Sequence, residues 1–461
     1  MYKMMKCLKE NGFHISILSI AVILMFIYIS ESSSNVPIMD YWTYLNALAD
    51  KTFNEGVAFY DLYSNNGVHR TPLQLFLFII NLKLFSWDTQ VSMYLGVLVT
   101  SISILVVFRH LCKFITKELF KRIAFVLIVL CMYSLGPYEI ITQEFYTSFA
   151  IRVLSFIIGF IMIETYVRDD NKLLDGTLFL LLTYNAIVFL FIGGMYSFAY
   201  ISAICGVYLL HLLLEYKDSK LSKEKLINFI FFVVMMAIIA FVYLNGIDFS
   251  ALEKSTVDIS IVKIIKTFLL LTGGSLFGSY IQVSYAYILG TIIILLNLYF
   301  VVIYIYKKTY KDTYFPLYLY IYYFLFYLML YVGRSGYGEE YFLSPRYILD
   351  SSLMILSLIF ITVINLHQIY CSSSLLKSDK LKGVVCLISL LFVLSGILYC
   401  DNKEKQISLH RKIYCNNLID KMRNLHDVSD VELSGFQSNP NLVRNGVDLM
   451  KKYKLGVFKF D

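Results

Sequence analysis

What most constrains this chain is the recurrence, almost from end to end, of apolar stretches about as long as a bilayer is thick. Ile15–Ser30, Val91–Arg109, Ile123–Leu135, Phe149–Val167, Leu178–Gly193 and Tyr196–Tyr216 fill the first half, and Leu226–Tyr243, Ser284–Tyr306, Tyr314–Gly333, Ile348–Leu366 and Val384–Cys400 follow. Each approaches the roughly 20 residues with which a helix crosses the hydrocarbon core. A helix satisfies all its backbone hydrogen bonds within one segment, so stretches of this kind fold as helices in lipid. Composition agrees: 58% of the 461 residues are hydrophobic and 16% are charged, too little polar surface for a soluble chain of this size. The expected fold class is an all-α polytopic membrane protein with about 11 transmembrane helices.

The formal charge of +7 does not mark a nucleic-acid binder, because many of the basic residues cluster in short segments between the spans. These clusters are Lys3–Lys9, Arg109–Arg122, Arg168–Lys172, Lys217–Lys225, Lys307–Lys311 and Lys377–Lys382. The positive-inside rule puts all of them in the cytoplasm, so an even number of crossings must separate each pair. That parity excludes the apolar Thr71–Phe85 as a span and makes it a helix lying on the membrane surface. Residues 31–90 then form a large first periplasmic loop, with a helical pattern around Asp40–Lys51. Gly136–Thr147, Asn245–Asp258 and Arg334–Tyr347 fall on the same outer side. Ile259–Thr272, interrupted by Lys263 and Lys266, is expected to be interfacial or re-entrant.

Two parts follow: a polytopic membrane domain over 1–400 and a small periplasmic C-terminal tail over 401–461. Tyr28-Ile29-Ser30-Glu31 lacks a small-x-small cleavage pattern, so the first span is expected to be a signal anchor in a bacterial inner membrane, with its N-terminus cytoplasmic. Cys400 and Cys415 are the cysteines expected outside, either as a disulfide or as two free thiols.

Cys-x-x-Cys, His-Glu-x-x-His, Walker and Gly-x-Gly-x-x-Gly patterns are all missing, so no metal or cofactor is expected. The polar residues that remain gather on the outer side. Asp40-Tyr41-Trp42 offers a carboxylate to accept a hydroxyl proton and rings to stack on a sugar, although Asp40 also suits a plain helix N-cap. His69-Arg70 can hold a phosphate or anchor at lipid headgroups. Arg152, close to the hydrocarbon, needs a partner, and Glu144 is the expected one, in the site or as a structural ion pair. The segment from Arg334 through Glu339 to Arg346-Tyr347 is more polar than a hairpin requires. Arg346 opens a helix, where the macrodipole disfavours a cation unless an anion is bound, which makes it a candidate phosphate ligand. Val443–Phe460, with Lys451-Lys452-x-Lys454, is either a solvated basic face or a headgroup or glycan contact.

Asp40 early in the first outer loop, His69-Arg70-Thr71-Pro72-Leu73 leading into a surface helix, and Leu84-Phe85-Ser86 before the next span resemble membrane-embedded type-C glycosyltransferases. Ser344-Pro345-Arg346-Tyr347, the closing Lys454-Leu455-Gly456-Val457-Phe458 and the overall layout are similar to the phage-type, serotype-converting O-antigen glucosyltransferases. The likeness extends over the whole chain in layout and over short stretches in residues.

It implies transfer of a sugar, glucosyl by analogy, from a polyprenyl-phosphate donor to a lipid-linked polysaccharide acceptor such as the O-antigen of lipopolysaccharide. Asp40 and Glu144 would be catalytic, and Trp42, His69, Arg70, Arg152, Arg334, Glu339, Arg346 and Tyr347 would bind substrate. Membrane lipid is a further partner, and a separate carrier-loading transferase and flippase would supply the donor. Asp40 is followed by Tyr41-Trp42 and not by the second acid usual in the class, which favours a metal-independent reaction. A polysaccharide polymerase would share these features. A transporter should show inverted repeats and more intramembrane charge than Arg152 and Glu164.

Overall fold

The computed structural model describes residues 2–460 apart from 64, 67, 68, 170–172, 248–259 and 372–376, with backbone alone at 2–11, 65, 66, 69 and 377–379. Helix α1 (Tyr2–Ser32) leads into a lobe made of α2 (Tyr41–Asp50), an antiparallel pair of two-residue strands β1 (Asn65–Asn66) and β2 (His69–Arg70), and α3 (Pro72–Phe85). The bundle continues with α4 (Thr89–Leu111), α5 (Glu118–Met132), the short α6 (Tyr138–Ile141), α7 (Tyr146–Arg168), α8 (Gly176–Ile187, prolonged by a π-helical turn), α9 (Tyr196–Lys217) and α10 (Lys223–Leu244). It closes with α11 (Ile261–Phe277), α12 (Val283–Tyr306), α13 (Phe315–Arg334), α14 (Ile348–Cys371), α15 (Lys377–Arg423), the single turn α16 (Asp430–Leu433) and α17 (Pro440–Tyr453).

Ten helices among the described residues are long and apolar enough to cross a membrane, which makes this a multi-pass membrane protein. The expected span at Ile123–Leu135 falls short of that length, because α5 has 15 residues. It still packs inside the bundle through Ala124, Phe125 and Ile128. Helix α14 is the axis, with 94% of its apolar window buried, whereas α10 and α12 present Ile230, Val234, Ile238, Leu295 and Val302 outward. An apolar exterior of this kind is what lipid requires.

The basic segments collect at one end of the bundle. There Arg168 donates to the Tyr310 carbonyl at 2.8 Å, Lys225 pairs with Glu215 at 2.7 Å, and Lys311 lies 3.6 Å from Asp218. The other end holds the lobe and the tail, and both ends of α11 lie there. Lys263 near its start donates to the Ser335 carbonyl at 2.7 Å, and Gly278 just beyond its finish abuts Cys400. Helix α11 therefore enters and leaves the bundle at the same end. It crosses α12 at backbone contact, since a Cβ on Gly290 would stand 2.1 Å from the Leu269 carbonyl oxygen and one on Gly273 would stand 2.3 Å from that of Ala286.

Helix α15 runs unbroken through Cys400 for 47 residues, so no structural break falls at that residue. Cys400 and Cys415 sit on this one helix roughly 22 Å apart along its axis, too far for a disulfide, and both are free thiols. Beyond it the tail closes a second core with the lobe, in which Trp42, Phe78 and Trp87 meet Phe436, Val443, Val447 and Met450. Because the obstruction at Gly290 is backbone and not a flexible side chain, Gly290→Ala should separate α11 from α12 and lower stability by about 1–3 kcal/mol. Thermal melting of the purified protein checks this; an unchanged midpoint would contradict the contact.

Candidate functional site

At the lobe-bearing end a polar cavity of about 210 Å³ opens between the lobe, α6, α7 and the ends of α13 and α14; Asp40, Arg70, Glu139, Arg152, Arg334 and Arg346 all line it. Beside it an apolar groove of about 410 Å³ runs along α13, lined by Phe326, Leu330, Val332 and Tyr347. The two share Met195, Tyr196 and Arg334. Val332, 55% exposed on the bundle surface, shows that the groove opens toward the apolar exterior.

Asp40 is brought to the cavity by a strained turn. Met39 before it has φ of 61°, a left-handed conformation that costs an L-residue about 1–2 kcal/mol. The tail holds it there: Met39 N–H donates to the Phe436 carbonyl at 2.8 Å, and Gln437 donates to the Met39 carbonyl at 3.0 Å. Asp40 occupies the N-cap position of α2, yet its side chain makes no capping bond. Arg70, on β2, sends its guanidinium to the carbonyls of Tyr243 and Asn245 at the C-terminus of α10, both at 2.7 Å. Those carbonyls are the negative end of that helix. His69 shares the strand, but its side chain lies outside the described residues.

Arg152 is fully enclosed and pairs with Asp350 of α14 at 2.5 Å, not with Glu144 as the sequence led us to expect. Its guanidinium is flanked by Phe149 at 4.2 Å and Tyr196 at 3.8 Å, and Tyr322 donates to Asp350 at 2.7 Å. Arg346 is held by Glu139 at 3.2 Å and by the Ser344 hydroxyl at 3.0 Å. Arg334 lies over Tyr337 and Tyr341 at 5.6 and 5.9 Å.

Three expected site residues are placed elsewhere. Trp42 is fully buried in the lobe–tail core, donates to the Pro37 carbonyl at 3.1 Å and has no face for a sugar. Glu144 turns away from the cavity and accepts from Trp87 Nε1 at 2.8 Å and Asn81 Nδ2 at 3.0 Å, fastening α7 to the α3–α4 connection. Glu339 lies off the cavity wall, accepting from the Tyr287 hydroxyl at 2.6 Å, with Lys266 3.8 Å away. Tyr347 is buried and belongs to the apolar groove. Sequence reasoning missed Glu139 as the acid of the wall, Gln74 on α3 and Asp350. The last carries a legible signal, an acid in the first turn of an apolar span. Among the described residues no group of three or more His, Cys, Asp or Glu side chains gathers as metal ligands.

No protein-family model matches the chain, and no curated protein matches it. Among solved structures it is similar to the archaeal oligosaccharyltransferase AglB from Archaeoglobus fulgidus, in complex with an inhibitory peptide and a dolichol-phosphate. The identity is 12%, over 87% of this chain and 56% of that one, with a TM-score of 0.41. This chain therefore spans a little over half of that structure's length.

Burial pushes the Glu144 carboxyl up to about 8 from its ordinary 4.5, against the opposing hydrogen bonds of Trp87 and Asn81. The folded form thus holds a proton that the unfolded chain gives up. Its contribution to stability is full below pH 4.5 and is lost as pH rises toward about 8. Glu144→Gln cannot titrate and keeps one of the two acceptor oxygens, which Trp87 needs more than Asn81 does, so it should fold, keep function and flatten that part of the pH–stability curve. Glu144→Ala leaves Trp87 Nε1 without an acceptor, while Asn81 keeps the Asp88 carbonyl and the Ser92 hydroxyl, and should cost about 1–3 kcal/mol. Melting curves across pH check both, and loss of function in Glu144→Gln would return the residue to the catalytic set.

Proposed function

We propose that this protein is a membrane glycosyltransferase that moves a sugar from a polyprenyl-phosphate carrier to a cell-surface polysaccharide on the non-cytoplasmic face. The observation that carries the reading is the position of Arg334, at the junction of an apolar groove and a charged chamber. A polyprenyl phosphate has this same division: a hydrocarbon chain ending in an anion, with the sugar beyond it. Charge supports it too. The guanidinium groups of Arg70, Arg152, Arg334 and Arg346 stand on the cavity wall with the carboxylates of Asp40 and Glu139, so cationic donors are at hand for a phosphodiester.

In the proposed reaction Asp40 takes the proton of an acceptor hydroxyl, and the oxygen attacks the anomeric carbon from the face opposite the phosphate. The bond from that carbon to the phosphate oxygen breaks, its electron pair leaves with polyprenyl phosphate, and the configuration inverts. Arg334 and Arg346 meet the charge that develops on the leaving oxygen, and donors placed this way are worth on the order of 2–4 kcal/mol each. Glu139 keeps Arg346 aimed while half-neutralising it. The lysine and arginine clusters at the far end support an outward-facing site, with residues 31–90 and the tail outside.

Within this reading the acceptor is O-antigen-like polysaccharide of a bacterial inner-membrane pathway, the sugar is glucosyl, and a carrier-loading transferase and a flippase supply the donor. Asp40→Asn should abolish glycan modification while the protein stays inserted and abundant. Arg334→Ala should lower kcat/KM by about 10²-fold or more. Mass spectrometry of the polysaccharide from cells with and without the gene reads the outcome. Loss of a branch on an intact ladder agrees with a decorating transferase, collapse of the ladder to single units identifies a polymerase, and full modification by Asp40→Asn removes the assigned base.

A further inference from the structure

Gln143 lies in the short link between α6 and α7, is half-buried and lines the polar cavity. The turn of α6 runs on into it, since Thr142 N–H donates to the Tyr138 carbonyl at 2.9 Å and Gln143 N–H to that of Ile140 at 3.2 Å. It therefore follows Glu139 by one turn, on the same face of the link. Two residues further on, the Phe145 ring packs 4.6 Å from that of Tyr41, the neighbour of Asp40. Gln143 thus stands between the carboxylate that holds Arg346 and the turn that carries Asp40. Its carbonyl accepts from Tyr146 N–H at 3.2 Å, but its side-chain amide bonds no described residue, and neither the oxygen nor the nitrogen of that amide is closed off from solvent. Two donor hydrogens and an acceptor oxygen are open on the cavity wall and serve no contact within the chain.

Resting on the reading of this cavity as a donor site, we propose that Gln143 reads hydroxyl groups of the transferred sugar. In that transfer the sugar ring lies between the base and the leaving phosphate, and Asp40 and Arg346 mark the two ends of the interval. Gln143 stands within it. The charges sort the ligand. Phosphate oxygens carry negative charge and only accept hydrogen bonds, so they belong with the guanidinium groups of Arg334 and Arg346. A sugar hydroxyl is neutral and both donates and accepts, which matches the two ends of an amide. A sugar whose hydroxyl points elsewhere on the ring forfeits those bonds and is held less tightly.

The test measures binding of undecaprenyl phosphate bearing glucose, galactose or N-acetylglucosamine, and of undecaprenyl methyl phosphate, to the full chain in nanodiscs. The methyl ester keeps the lipid and the phosphodiester charge and has no sugar. Wild type should bind one sugar-bearing lipid about tenfold more tightly than the methyl ester. Gln143→Leu and Gln143→Met, which both keep the bulk of the side chain, should hold the methyl ester within about twofold of wild type and cut the preference for that sugar about fivefold or more. Without ligand both should melt within about 4 °C of wild type, because no internal bond is lost. A smaller cut in the preference, weaker binding of the methyl ester, a larger fall in melting temperature, or a wild type that gains nothing from any of the three sugars overturns the role of Gln143 alone. A wild type that binds none of the four lipids overturns the donor-site reading itself.

Discussion

A guanidinium at membrane depth is tolerated only where its charge is matched and its donors are met, and the Arg152–Asp350 pair meets the first condition between α7 and α14. Removing one partner of such a pair costs about 3–5 kcal/mol, because the other is left charged in a place that cannot solvate it. The pair also dictates its surroundings. Tyr196 of α9 covers the guanidinium and Tyr322 of α13 donates to the carboxylate, so four helices converge on one charge-neutral point. The floor of the polar cavity is therefore fixed by the same contact that holds the bundle's centre together. Loops above it can vary in path without altering where that floor lies.

The ceiling is built differently. It is a soluble-style core of tryptophan, phenylalanine and aliphatic residues shared between the lobe and the tail. Two strained positions show how closely the parts are fitted. Met39 is held left-handed by the tail at residues 436–437, and Ser86 and Trp87 are both left-handed where the Gly456 amide donates to the Ser86 carbonyl at 2.7 Å. Conformations of this kind persist only where the surroundings over-determine them. The carboxylate of Asp40 thus depends for its place on residues near the far end of the chain.

Much of this was legible in the sequence. Apolar stretches report the bilayer's thickness directly; charge parity set α3 aside from the expected crossings, and Lys263 and Lys266 marked the α11 region as interfacial or re-entrant. Asp40, Arg70, Arg152, Arg334 and Arg346, scattered along the chain, line one cavity, as expected of polar residues pushed to one end of a bundle. Pairing was not legible. Glu144 is near Arg152 in sequence, but it lies before α7 begins and swings to Asn81 and Trp87, whereas Asp350 is 198 residues away and reaches Arg152 across a helix interface. Trp42 follows Asp40 by two positions and reads equally well as a sugar platform or as core. Which it is depends on the tail covering it, and no local pattern encodes that. Gln74 is hidden inside an apolar run whose average hides one amide.

Helix α15 has 47 residues and is roughly 70 Å long. It passes from the basic end of the bundle through the whole apolar layer and into the upper core, and Glu404, fully buried on it, is gripped by Tyr28 and Arg411 at 2.7 Å each. A rod of that length sets the height and tilt of the upper lobe on its own side like a fixed post. The lobe meets the bundle again at α10, where Arg70 donates to the carbonyls of Tyr243 and Asn245, so side chains fasten it there while continuous helix carries the tail.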